Sequence, residues 1–457
     1  MIRLRPSGVD EILIKLVQDW YEPGPGVFIT STSTLFSPAM LFTGTTTGAW
    51  YDPSDTTTLF RDAAGTLPVT AVEQPVGRML DKSGRGNHAF NPSGNSANFP
   101  VLSARYNLLT KTEDFSDAVW QKINSGSTNP SITSTGLSDA LGGNTATRVV
   151  FGAITANSQY SVLKQDYFNA SGSYTRSIYV KASTSGDVGK LLFIYSAVGD
   201  GITITLSNTW QRISGNASLS GTTQYAIATL GSDYGGGNQA AVSVDVCGAD
   251  LRVANDALNQ PAYQRVNTAT DYDTVGFKPY LRFNDPARGT NNWLQTNSID
   301  FTYGDKMFVS AGVRKLSDAA QGVIVELSTS AGANVGAILL DGPNTVATNY
   351  RFASRGSILS SAIATNYAAP ITNVLSGIGN ISGDQSILRI NGEQAAISTA
   401  DQGTGNYGNY PLYIGARAGT SLWANIRFYG AVVAGKQASA DEITNTETFI
   451  NQKTGAY

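Results

Sequence analysis

Along most of the chain, apolar and polar positions alternate with period two in short runs. The first are Arg176–Lys181 (RSIYVK), Leu191–Tyr195 (LLFIY), Ile202–Leu206 (ITITL), Tyr225–Leu230 (YAIATL) and Ala241–Val246 (AVSVDV). Later come Met307–Val313 (MFVSAGV), Val323–Leu327 (VIVEL), Ile387–Ile390 (ILRI), Leu412–Gly415 (LYIG) and Ile426–Val433 (IRFYGAVV). Clusters of Gly, Asn, Ser and Asp separate them. This pattern predicts half-buried antiparallel strands, and many such strands at short spacing predict sandwiches. Asn391-Gly392 predicts a two-residue hairpin, because a type I′ turn needs positive φ at both positions.

Helical spacing shows near the two ends. Val9, Ile12, Leu13, Leu16, Val17 and Trp20 share one helix face, and Glu22-Pro23-Gly24-Pro25-Gly26 stops it. Ser439-Ala440-Asp441-Glu442 forms a capping box ahead of Ile443, Thr446, Phe449 and Ile450. Glu447, on that helix, reads as part of a solvated face. No short internal repeat is present, which argues against a solenoid or propeller. The expected class is all-β: two antiparallel sandwiches of jelly-roll type, a short N-terminal arm and a C-terminal helix.

The length of 457 residues gives a prior of two or three domains. Only 14% of residues are charged and the net charge is -3, so there is no basic footprint for a nucleic acid and no polybasic membrane patch. One Cys and one His exclude a disulfide framework and a multi-Cys/His zinc site within the chain. No stretch approaches the ~18 apolar residues of a membrane span. The start lacks the pattern of a secretory signal, so synthesis in a host cytoplasm is expected.

Two groups of segments resemble known families. Gly48–Phe60 (GAWYDPSDTTTLF), Asp62-Ala63-Ala64-Gly65 and Asp81–His88 (DKSGRGNH) resemble the opening of concanavalin-A-like, laminin-G-like domains of bacteriophage virion proteins. Leu412–Arg417, Ile426–Val433 and the closing helix resemble the end of that domain, and Pro279–Phe283 with Asn292–Leu294 resumes its pattern. Between them, Tyr106–Trp120 (YNLLTKTEDFSDAVW), Tyr174–Lys181, Thr209–Ile213 and Ser243–Leu251 resemble a jelly roll of the carbohydrate-binding-module type. The resemblance implies a docking arm at 1–47, a concanavalin-like sandwich at 48–105 and 272–457, and an inserted jelly roll at 106–271. Insertion into an exposed loop is tolerated when the guest's ends lie close together. Ile12, Leu13, Leu16 and Trp20 become candidates for docking on a portal, tail or capsid protein.

The candidate chemistry is binding. No Glu-x-Asp-x-x-Glu strand pattern offers the two carboxyls ~5–5.5 Å apart that a retaining glycosidase needs, so no enzyme is expected. Asp271-Tyr272-Asp273 reads as a turn, with Asp81 and Asn87 stabilising another around His88. Trp120 and Trp210 read as core. Tyr234 and Asn238 in SDYGGGN, Tyr407 and Tyr410 in GTGNYGNYP, and Trp423 after GTS lie in Gly-rich loops, where flat rings would stack on sugars. No metal or other cofactor is assigned. Similarity to jelly rolls that hold structural calcium would place an ion at Asp245 with Glu113 or Asp114, although a surface or hydrogen-bonded carboxylate is the expected state.

The resulting expectation is a virion-surface protein, a tail, neck or head fibre, that binds a host cell-surface polysaccharide non-covalently. It would form a homo-oligomer, a trimer by analogy with fibres, with no nucleic acid and no membrane insertion. The alternatives are a decoration protein without a glycan ligand and a polysaccharide depolymerase.

Overall fold

A computed structural model describes residues 36–168, 172–196, 200–219, 222–253, 262–284 and 291–457. The docking candidates Ile12, Leu13, Leu16 and Trp20 lie outside these residues. The strands run β1 (Gly48–Tyr51), β2 (Leu59–Phe60), β3 (Arg78–Met79), β4 (Ala89–Phe90) and β5 (Val101–Ser103). Next are β6 (Gln121–Ser125), β7 (Ser131–Leu137), β8 (Ala146–Phe151), β9 (Tyr160–Phe168), β10 (Gly172–Ala182), β11 (Leu191–Tyr195), β12 (Ile202–Thr205), β13 (Gln211–Leu219), β14 (Thr222–Leu230) and β15 (Val242–Val253). They continue as β16 (Tyr280–Phe283), β17 (Leu294–Asp300), β18 (Lys306–Lys315), β19 (Val323–Leu327), β20 (Ile338–Asp341), β21 (Asn349–Arg355) and β22 (Leu359–Thr365). The last are β23 (Ile371–Asn380), β24 (Gln385–Ile390), β25 (Glu393–Ser398), β26 (Asn409–Ile414) and β27 (Ile426–Ala434), before helix α1 (Ala440–Thr454).

Among the described residues the ladders are antiparallel and fall into four sheets. The first has the order β25-β24-β23-β18-β27-β16-β5, with β1 also on β27; the second is β2-β3-β4-β17-β26-β19-β20-β21-β22. Their inner faces share one core, in which Val309, Phe352, Leu375 and Leu412 are buried. The third sheet is β13-β10-β15-β8-β7 and the fourth β12-β11-β14-β9-β6. They enclose a second core built on Trp120, Ile178, Leu192, Ile227 and Val244. The chain is thus all-β, with one sandwich made by β6–β15 and another by the strands before and after it. Period-two burial drives this, because one face of each strand must leave water.

Local signals act as their chemistry requires. Asn391 and Gly392 take φ of 53° and 84°, joining β24 to β25. Ser439 accepts from the Glu442 amide at 3.2 Å, and the Glu442 carboxylate accepts from the Ser439 amide at 2.9 Å. Helix α1 crosses the first sheet at Gly312, where a Cβ would lie 2.6 Å from Ile450. Glu447 departs from its expected solvated place. It is buried, and Arg389 donates to both its oxygens at 2.8 and 3.0 Å, pinning α1 to β24.

The segments entering and leaving the β6–β15 sandwich run side by side. The Gln264 side chain accepts from the amides of Tyr106 and Asn107 at 2.7 and 2.9 Å, and Asn107 Nδ2 donates to the carbonyls of Ala249 and Gln264.

Candidate ligand-binding groove

The fourth sheet carries apolar residues on both faces. Leu192 and Ile194 of β11, Tyr225 and Ile227 of β14 and Leu163 of β9 point into the core. The opposite parity puts Phe193 and Tyr195, Ala226, Ala228 and Leu230, and Tyr160 and Val162 on the outer face. Pairing aligns these side chains. Ala228 lies between Phe193 and Val162, Ala226 is opposite Tyr195, and Leu230 is opposite Tyr160. Ala226 and Ala228 on the middle strand are themselves fully buried beneath the flanking side chains. The result is a groove of about 520 Å³, walled by Ile123, Tyr160, Phe193, Tyr195, Leu230 and Tyr234.

A glycine-dependent loop supplies the last wall. Ser232–Tyr234 makes one 3₁₀ turn, which ends at Gly235 with φ 84°. The amides of Gly236 and Gly237 donate back to the carbonyls of Gly231 and Leu230 at 3.1 and 3.0 Å. A Cβ on Gly236 would sit 1.9 Å from the Leu230 oxygen, so only glycine permits this return. The loop holds Tyr234, 41% exposed, edge-on to Tyr160 with ring centres 5.8 Å apart.

The electrostatics are those of an aromatic, weakly acidic surface. Burial pushes the Tyr195 phenol up to about 12, with Tyr160, Asp200 and Tyr234 adding to it. Asp200 is held by the buried guanidinium of Arg176 at 2.7 Å. Lys164 and Asp166, on the same face, pair with each other at 2.8 Å. Asp233 stands in the wall beside Tyr234, with Thr203, Gln224 and two glycines completing the lining.

Of the loop residues singled out by sequence, Tyr234 enters the groove. Asn238 is exposed four residues further on and is not part of the wall. Tyr407 is corrected outright. It is 1% exposed, and its hydroxyl pairs with that of Ser354 at 2.7 Å inside the first core, so its ring presents no face to a sugar. Tyr410 packs against the same core and donates to the Val335 carbonyl at 3.1 Å. Trp423 packs against the cluster of Trp293, Tyr413 and Ala416. Those glycine-rich turns serve packing, because backbone passes too close for a side chain: a Cβ on Gly408 would lie 2.1 Å from the Tyr410 ring. Trp120 is core, as expected. Trp210 is not; it is half-buried with the Lys181 ammonium 5.0 Å from its ring centre.

Pattern reading missed Tyr160, Phe193 and Tyr195. The signal was present in LLFIY, apolar at both parities, which in a sandwich means that both faces of the strand exclude water.

The Asp245 carboxylate is already engaged. Arg148 donates to its two oxygens at 2.7 and 3.0 Å, and the Ser183 hydroxyl adds a contact at 2.8 Å. Asp114 accepts from Ser116, while burial raises the Glu113 carboxyl, which meets Tyr263. Among the described residues no group of three or more His, Cys, Asp or Glu is placed to hold a metal. His88 sits in its turn, accepting the Asp81 amide on Nδ1 at 3.0 Å, while Asp81 accepts from the amides of Trp50, Ser83 and Asn87. A smaller cleft of about 330 Å³ is lined by Lys111, Glu113 and Arg265, whose cations already pair with Asp117, Asp271 and Asp273. No described helix is long and apolar enough to cross a membrane.

No family pattern and no curated protein matches the chain. Solved structures with partial likeness include the CBM40 of Ruminococcus gnavus IT-sialidase bound to alpha2,3 sialyllactose. That match has 16% identity and a TM-score of 0.27, covering 34% of this chain and 97% of that one. The botulinum neurotoxin type G receptor-binding domain gives 8% identity and a TM-score of 0.28, covering 37% and 42%. The NanB sialidase of Streptococcus pneumoniae gives 16% and 0.26, covering 32% and 26%. At such scores the likeness carries no argument about function, which rests on the groove.

Proposed function

We propose that the groove on the fourth sheet binds a glycan non-covalently, and that the protein displays it on a phage particle toward a bacterial surface. One observation carries the binding reading. Tyr160, Tyr195 and Tyr234, each partly exposed, gather around one recess, with the largely buried Phe193 also in its lining. Flat rings stack on the apolar faces of pyranoses, and phenol, Thr203 and Gln224 groups bond their hydroxyls. Rigid strands hold three of the rings, which limits the ordering cost of binding. Single sites of this kind are weak, so several copies would act by avidity.

The virion part is supported by the segments that resemble phage sandwiches, with 106–271 as the inserted module. Homo-oligomerisation is supported by Leu359, Ile363 and Ile397, exposed aliphatics on the terminal strands β22 and β25. The test is binding of fluorescent protein to intact bacterial cells before and after periodate oxidation of surface glycans. Binding that periodate abolishes supports the reading. Folded protein that fails to bind under multivalent display overturns it and leaves a decoration role.

A further inference from the structure

The groove's charges define a ligand class. Among the described residues, the lining holds one ionisable carboxylate, Asp233, and no Lys or Arg. The surrounding cations are committed elsewhere. Arg176 is wholly buried and binds Asp200, and Lys164 binds Asp166, which also accepts from Gln121 at 2.9 Å. Asp233 is exposed, its backbone amide anchored on the Asn157 carbonyl at 3.1 Å, and it lines the groove with its neighbour Tyr234. Aromatic faces carry negative charge density and attract cations, most strongly where water is displaced.

We infer, resting on the glycan-binding reading above, that this groove selects sugars bearing a free ammonium group over their N-acetylated and carboxylated counterparts. The ammonium would lie between Asp233 and the faces of Tyr234, Tyr160 or Tyr195, with the pyranose in the recess they line. A carboxylated sugar would meet Asp233 with no cation in the wall to offset it. One exposed ion pair and one exposed cation–π contact are each worth a factor of roughly 2–5, so the preference is about tenfold.

The experiment is calorimetric titration of the full chain with three probes at a pH that protonates the amine: a chitosan trimer, its fully N-acetylated chitin counterpart, and sialyllactose. Chitosan should bind about tenfold tighter than chitin, and sialyllactose weakest. Asp233→Asn should bring the chitosan affinity close to that of chitin, and Asp233→Glu should restore the difference. Circular dichroism checks that each variant is folded. If chitin or sialyllactose binds as tightly as chitosan, and Tyr234→Ala weakens all three, the groove binds glycans but charge selection is wrong. If none of the three titrations responds to Tyr234→Ala, the glycan-binding reading of the groove itself fails.

Discussion

Tyr234 meets Tyr160 edge-on, at 76° and 5.8 Å between ring centres, although the two residues belong to a loop and a strand 74 positions apart. The contact holds the exposed ring upright at the end of the groove. Tyr160 is fixed by its ladder with Leu230, the residue from which the loop departs. Strand register therefore sets the position of a ligand-facing loop side chain.

Removing that ring should separate binding from folding. Tyr234→Ala is expected to lower glycan affinity by about 1–2 kcal/mol, a factor of roughly 5–30, because a stacking face is lost. The melting temperature should fall by no more than a few degrees, since Tyr234 is 41% exposed and belongs to neither sandwich core. Titration and thermal unfolding on the same sample check both parts.

The loop's return should be as sensitive as its tyrosine. Gly236→Ala places a Cβ against the Leu230 oxygen, so the loop must shift, costing about 1–3 kcal/mol and moving Tyr234. Glycan affinity should fall as in Tyr234→Ala. Gly237→Ala is the control, because a Cβ there meets nothing within 4 Å. Equal binding by the two variants would show that the loop tolerates the displacement.

Tyr407 should behave as core. Tyr407→Phe leaves the buried Ser354 hydroxyl without its partner, at a cost of roughly 1–3 kcal/mol. Glycan binding should not change. Denaturant midpoints and titration together distinguish this from a role in ligand contact.

His88 should make stability depend on pH. Burial, followed by the nearby Arg78, holds its imidazole below the ordinary value of 6.5, with Asp81 opposing. Its Nδ1 also accepts a backbone amide, which only the unprotonated nitrogen can do. The unfolded chain therefore takes up the proton first. Stability is fully present above 6.5 and declines as pH falls through that value toward the lower folded one. Urea midpoints across this window should fall for the native protein and less steeply for His88→Gln. Parallel curves would remove His88 as the cause.

The strands were legible because their signal is local. VIVEL and LLFIY became β19 and β11 residue for residue, and Asn391-Gly392 and Ser439–Glu442 act through backbone geometry a few residues wide. The groove was only partly legible. A glycine-rich loop marks Tyr234, but the same composition marks Tyr407, whose ring turns inward where Gly379 leaves space beneath its hydroxyl. Glu447 shows the same limit, since its partner Arg389 lies 58 residues earlier.

By itself, the chain's pattern determined the class of structure: all-β sandwiches with a capped C-terminal helix, because period-two burial and turn chemistry are decided by near neighbours. Tertiary structure alone decided which aromatics form the groove. Tyr160 comes from β9, Phe193 and Tyr195 from β11 and Tyr234 from the loop after β14, and only the register of β9, β14 and β11 brings them together. A one-residue slip would turn those rings into the core, so the site exists by virtue of long-range pairing that no local window contains.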